Sequence, residues 1–230
     1  MSEISSDVRE RRRLRLRIAR HGAAAGLSQQ EQLHAFREMA LSSGLPCLIT
    51  GKGMPRMSFG PAVSAGYESE AEYADIYLAA PVDRGQAAAK ISAVALDGFS
   101  VLDVRKVPVH FPSLESLLNV ACYELSGEFG TQAPQLLEKL LARETITVAR
   151  KKQDGTDACV DVRPLIISMA LAAPQTLRLL LRFGPGRNVK PELLAGEWLG
   201  REVQVAVPGG FRVLRKQFYW EGATGELHEP

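Results

Sequence analysis

The chain has 230 residues, enough to bury a substantial core as one large domain or two small ones. Apolar residues make up 46%, charged residues 23%, and the formal net charge is only +2, so a basic surface must come from local clustering rather than overall charge. The three cysteines, Cys47, Cys122 and Cys159, are odd in number and too widely spaced for a disulfide framework or a zinc site, which points to free thiols in a reducing compartment.

Residues 1–11 read as a disordered basic tail. From Arg13 the residues alternate strictly through Ile18, and a strand places Leu14, Leu16 and Ile18 on one face and Arg13, Arg15 and Arg17 on the other. After a Gly- and Ala-rich loop, Ser28 with Glu31 forms a capping box. It opens a helix to about Ser43 with Leu33, Phe36, Met39 and Ala40 on its apolar stripe, and Gly44 ends it. A second strand is expected over 46–50, a Gly-rich loop over 51–56, a short extended stretch over 57–64 and a strand over 72–79. Asp83 caps a helix expected through Leu96, and 99–107 is again a strand. The order is β-α-β-β-α-β.

Pro108 and Pro112 punctuate a linker, and a second cycle follows. Strands are expected over 117–126, 145–151, 158–162 and 176–183, with a hairpin turn at Asp154-Gly155 and a helix over 131–141. Residues 163–172 fit strand or helix equally. A short helix runs from Asn188 and Pro191 to about Leu199, and 203–207 with 211–220 reads as a hairpin around Gly209-Gly210. The expected architecture is α+β: two ferredoxin-like βαββαβ halves with antiparallel sheets, spanning 12–110 and 113–222, with a tail over 223–230.

No apolar run reaches the length of a membrane span, and the N-terminus lacks the apolar core of a secretory signal. The expectation is a cytoplasmic protein with no membrane partner.

Several segments carry a family resemblance. The opening Leu14-Arg15-Leu16-Arg17-Ile18-Ala19-Arg20-His21-Gly22, the stretch from Met57-Ser58-Phe59-Gly60-Pro61 through Glu68-Ser69-Glu70 to Asp75-Ile76, Pro112-Ser113-Leu114 and Asp161-Val162-Arg163-Pro164 carry it. These segments resemble a bacterial radical-SAM-associated domain of unknown function, found beside or fused after cobalamin-binding radical SAM proteins. The chain departs from that pattern at Ser28-Gln29-Gln30-Glu31, where the family has a Ser-His-x-Asp type sequence. It departs again at the shortened loop Gly53-Met54-Pro55-Arg56. The resemblance implies association with a radical SAM enzyme on a separate chain and a role in RNA modification; it supplies no reaction.

The residues support a binding role more readily than catalysis. Seven arginines fall between Arg9 and Arg20. Arg13, Arg15 and Arg17 on one strand face, with Arg178, Arg182 and Arg187 from the second half, form a candidate RNA- or anion-binding surface, because a guanidinium donates to phosphate in a fixed fork. The plainer reading is a solvated face that blocks edge pairing. Lys52 and Arg56 in the Gly-rich loop can meet an anion, although no P-loop ending follows and a flexible turn explains the loop equally well. Arg163, held extended before Pro164, either faces a ligand or pairs with Asp161.

Glu68, Glu70, Glu72 and Asp75 are either ligands for a hard cation or an exposed acidic edge that pairs with the arginines. His21, His34, His110 and His228 lie far apart, and no nucleophile elbow occurs. The three-cysteine cluster of a radical SAM iron–sulfur centre is absent, so this chain is not itself the radical enzyme. No catalytic residue, metal site or cofactor is assigned. The expected function is a non-catalytic accessory protein that binds or presents RNA. The alternatives are a protein-docking module without nucleic acid and an unrecognised small enzyme with a site between the halves.

Overall fold

The structure, a computed structural model, describes residues 12–151 and 157–230. Residues 1–11 and the turn expected at Asp154-Gly155 lie outside the described residues. The fold is mixed α+β, with five α-helices among the described residues and a mostly antiparallel arrangement of strands. The described residues divide into two compact units, one of residues 12–65 with 70–117, the other of residues 66–69 with 118–151 and 157–230.

In the first unit, β1 (Arg12–Arg20) pairs antiparallel with β4 (Phe99–Val107). Its other neighbour is β3 (Glu68–Leu78), to which the short β2 (Met57–Phe59) adds antiparallel, so the order is β4-β1-β3-β2. Helix α1 (Gln29–Ser42) starts at the expected capping box: Ser28 Oγ accepts from the Glu31 amide while the Glu31 carboxylate accepts from the Ser28 amide. Helix α2 (Arg84–Ser92) starts at Asp83, whose carboxylate accepts from the Gln86 amide at 3.0 Å. Leu14, Leu16 and Ile18 of β1, Ile76 and Leu78 of β3, Phe36 and Met39 of α1 and Ile91 of α2 share one apolar core. The period-2 and period-3.6 stripes meet there.

Three expectations in this unit need correction. The stretch 46–50 is not a strand: it makes only isolated bridges, Cys47 to Leu78 and Ile49 to Pro55, and the ladder forms instead at β2. Pro46 and Pro55 carry no amide donor, which leaves that stretch unable to sustain a ladder. Helix α2 stops at Ser92 rather than Leu96. The chain must turn into β4 there, and Gly98 at φ 77° makes the turn. A Cβ on Gly98 would stand 2.7 Å from Ala24 Cβ and 2.8 Å from the His21 carbonyl. A four-residue helix, α3 (Leu114–Leu117), also follows the Pro108–Pro112 segment, where only a linker is expected.

In the second unit, β5 (Val120–Ser126) lies between β10 (Arg212–Glu221) and β9 (Thr176–Arg182), and β8 (Ile166–Ala173) pairs outside β9, giving the order β10-β5-β9-β8. The first residues of β3, Glu68 and Ser69, belong to this unit and pair in parallel with Leu214 and Arg215 of β10. Leu177, Leu179 and Leu181 of β9 are buried while Arg178 is exposed, as the alternation requires. Helices α4 (Ala133–Leu141) and α5 (Pro191–Leu199) pack together, with Trp198 Nε1 donating to the Ala133 carbonyl at 3.1 Å.

Strands β6 (Thr147–Lys151) and β7 (Asp157–Asp161) pair only with each other, as a separate two-stranded sheet. The segment 163–172, which the pattern leaves open, is a short 3₁₀ turn followed by β8. No hairpin forms at 203–210. Ala206 sits at φ 61°, outside strand geometry, and Val205 makes a single parallel bridge to Phe211. The partner of β10 on its far end is instead β11 (Leu227–His228).

Candidate functional site

The sequence pattern places Arg13 and Arg15 on a polar face, and the structure buries both. Arg15 is 1% exposed and donates through Nε and Nη2 to the two oxygens of Asp75 at 2.8 and 3.0 Å. Asp75 is itself fully buried, and Arg13 Nε approaches its Oδ2 at 3.5 Å. Arg13 also donates to the carbonyls of Phe111 and Pro112. This face is therefore neither solvated nor open to an outside anion. The physical reason is Asp75, one strand away, which neutralises charge that burial would otherwise expel. Arg17 is half-buried, with Nε on the Glu70 carbonyl at 2.7 Å.

A second buried polar chain lies in the same unit. Arg20, fully buried, donates to Gln32 and to the carbonyls of Ala25 and Leu27, and Gln32 Nε2 donates to Glu72 at 2.6 Å. Of the acidic group singled out from sequence, Asp75 and Glu72 thus serve buried partners. Among the described residues no three His, Cys, Asp or Glu side chains gather as metal ligands.

Lys52 and Arg56 are exposed at the turn after Thr50, and Arg56 lies over the Tyr77 ring at 5.0 Å. In the second unit Arg178 is exposed and donates to Glu124 at 2.8 and 3.2 Å. Hydrogen bonding to Glu124 raises the Arg178 pKa above its ordinary value. Cys122 lies on β5 with Glu124, and burial pushes its thiol up.

The remaining arginines converge. Arg182 donates through Nε and Nη2 to the two oxygens of Glu221 at 2.7 and 2.6 Å, and through Nη1 to the Pro164 carbonyl at 3.3 Å. That bidentate bond holds the Glu221 carboxyl below the usual carboxylate range. Arg182 and Glu221 form part of the wall of a cavity of about 370 Å³, with Arg187 and Asn188 also lining it. The volume falls within the range of small-ligand pockets.

Gly184-Pro185-Gly186-Arg187 positions that rim. The amides and carbonyls of Gly184 and Arg187 exchange hydrogen bonds at 2.7 and 2.9 Å, and Gly186 is at φ 70°. Proline followed by a left-handed glycine is the pattern of a type II turn, so Arg187 is presented on a stiff support. Arg163 stands beside the cavity wall formed by Pro164. Its amide donates to Asp161 Oδ1 at 3.0 Å and its guanidinium reaches the Leu141 carbonyl at 3.5 Å.

The structure therefore gathers Arg182 and Arg187 at one cavity, with Arg163 adjacent. Lys52, Arg56 and the buried Arg13 and Arg15 belong to the other unit. Sequence reasoning missed Asn119 and Glu221. Asn119 anchors the site through its Oδ1, which accepts the Glu221 amide at 2.8 Å. No local pattern marks it, because its partners are 64 and 102 positions away; Phe183 donates to its carbonyl through the backbone.

The model of an uncharacterized protein family conserved in bacteria, DUF2344, matches residues 13–191. The chain belongs to that family. The DUF2344 match covers β1 through the first residue of α5 and includes all nine arginines and lysines of the candidate surface. No curated protein matches the chain. Among the described residues of this DUF2344 chain, no helix is long and apolar enough to cross a membrane.

Proposed function

We propose that this chain is a cytoplasmic, non-catalytic accessory protein that binds RNA and presents it to a radical SAM enzyme carried on a separate chain. The RNA-binding surface is the guanidinium group of the second unit: Arg178, Arg182 and Arg187, with Arg163 beside them. Lys52 and Arg56 supply a further exposed basic point in the first unit. The observation that carries this reading is that Arg178 is exposed, Arg182 is half-buried at a cavity wall and the exposed Arg187 is presented on a stiff turn at the cavity rim. Exposed arginine–carboxylate pairs are worth little, so a phosphate can displace Glu124 from Arg178 at small cost.

The architecture proposed for both units is ferredoxin-like. The orders β4-β1-β3-β2 and β10-β5-β9-β8 support it. They are the same permutation of a βαββαβ unit once the β6–β7 pair is treated as an insertion between α4 and β8. Sheets of that kind are a common platform for RNA. The link to a radical SAM enzyme rests on the sequence resemblance alone.

A native-gel shift with bulk tRNA at low and at moderate salt tests the RNA reading. A complex that forms at low salt and weakens as salt rises is expected, because the contacts release counterions from phosphate. No shift at low salt removes the RNA role.

One observation favours docking on a protein instead. Strand β8, Ile-Ile-Ser-Met-Ala-Leu-Ala-Ala, ends the strand order of its unit and carries neither charge nor proline. Edge strands usually carry one or the other, and a bare edge suits strand addition by a partner. Capture of the radical SAM enzyme by wild-type chain but not by Ser168→Lys/Ala170→Lys chain would favour that reading.

A further inference from the structure

We infer that the cavity beneath the Gly184–Arg187 turn holds one nucleotide unit of a single RNA strand, its phosphate on Arg187 and its base against Phe183 and Leu165. This rests on the RNA reading above and names what the site takes.

The charges at the cavity leave one cation free for a ligand. Glu221 is occupied by the two-pronged bond from Arg182. Asp161 Oδ1 already accepts the amides of Ile146 and Arg163, both at 3.0 Å. Arg187 is exposed, and its guanidinium has no carboxylate partner among the described residues. It is therefore the group at the rim with its full fork of donors available to an anion, and a phosphate matches that fork.

The cavity is not a simple anion cup, because part of its wall is apolar or aromatic. Phe183 and Leu165 line it, and the Phe183 ring is braced by Phe218 at 5.4 Å between centroids. A braced ring beside a free guanidinium is the pairing that single-stranded RNA readers use, with a base on the ring and the backbone phosphate on the arginine. Asn119 and Asn188 add amide groups to the wall. The Oδ1 of Asn119 is committed to the Glu221 amide, which fixes the side chain and turns its NH₂ into an oriented donor for a base edge. Free phosphate would use only Arg187, and an apolar ligand would waste it. A nucleotide engages both halves of the lining.

Binding of 5′-UMP, uridine and inorganic phosphate to the full chain, followed by two-dimensional amide NMR, tests the assignment alongside the tRNA gel shift. The expected result is saturable shifts of Phe183, Arg187 and Asn188 with 5′-UMP, with uridine and phosphate each weaker by about tenfold or more. Arg187→Glu and Asn188→Ala lie on the exposed rim and should fold normally; Arg187→Glu is expected to abolish the 5′-UMP shifts and to weaken tRNA binding. If tRNA binds, 5′-UMP does not, and Arg187→Glu leaves the tRNA complex unchanged, the nucleotide site is overturned while the RNA role stands. If 5′-UMP binds and tRNA does not, the strand assignment and the RNA role both fall, leaving a free-nucleotide site. If phosphate alone matches 5′-UMP, the base contact is refuted.

Discussion

Replacing Asp75 by Ala should cost this protein more than any single change on its surface. Asp75 is fully buried, Arg15 is 1% exposed, and two hydrogen bonds of 2.8 and 3.0 Å join them, with Arg13 approaching the same carboxylate. Removing the carboxylate leaves Arg15 buried with its charge uncompensated. Breaking a buried pair this way typically costs ~3–5 kcal/mol, against a total stability of ~5–15 kcal/mol. With a urea slope of roughly 2 kcal/mol per molar, the unfolding midpoint should fall by roughly 2 M. The paired change Arg15→Met with Asp75→Leu removes both charges and fills the space with apolar atoms, so it should recover at least half of that loss. Urea unfolding followed by far-ultraviolet circular dichroism reads both variants. A midpoint for Asp75→Ala within roughly 0.5 M of wild type would refute the argument that these arginines are structural.

Other consequences are equally open to measurement. Arg178→Ala breaks a pair in which the arginine side chain is 58% exposed, so the unfolding free energy from urea titration should stay within ~1 kcal/mol of wild type. Ser28→Ala removes one half of the capping box and should lower stability by ~1 kcal/mol in the same assay. Gly66→Ala is expected to destabilise the second unit, because Gly66 is at φ 87° and a Cβ there would stand 2.5 Å from Ala206 Cβ; amide exchange should speed up in β10 and around Ala206. Glu226, held down to about 2 mainly by the Thr224 hydroxyl, steadies the C-terminal turn whose His228 stacks on Trp220. A depressed folded-state value gives a contribution that is complete above about 4.5 and disappears as pH falls through about 2. The Thr224 amide, which donates to the Glu226 carboxylate at 3.1 Å, should therefore show its steepest change in chemical shift as pH falls from about 4.5 through about 2.

Much of the fold was legible because local signals agreed. The capping box at Ser28, the period-2 run of β1 and the leucine alternation of β9 placed elements within a few residues of their observed ends. The missed strands share a cause: local backbone features that interrupt a ladder. The stretch 46–50 has strand composition but prolines at and near its bridges, and 203–207 looks like a hairpin arm until Ala206 turns left-handed. Burial was the hardest property to read. Alternating arginines give the same pattern whether the far face meets water or a buried aspartate, and only the register of β3 against β1 decides between them. The cavity was half-legible. Arg163, Arg182 and Arg187 carried a charge signal, whereas Asn119 and Glu221 join them only through the pairing of β5 with β9 and β10.

The salt dependence of tRNA affinity tests the central claim most directly. Filter binding of wild type, Arg178→Glu, Arg187→Glu and Arg15→Met/Asp75→Leu over a series of salt concentrations gives the slope of log affinity against log salt. The account predicts that each of the two exposed replacements lowers the slope by about one phosphate contact, while the buried double change leaves it unaltered. An affinity that ignores salt, or a slope that changes with the buried pair and not with Arg178 and Arg187, would contradict it.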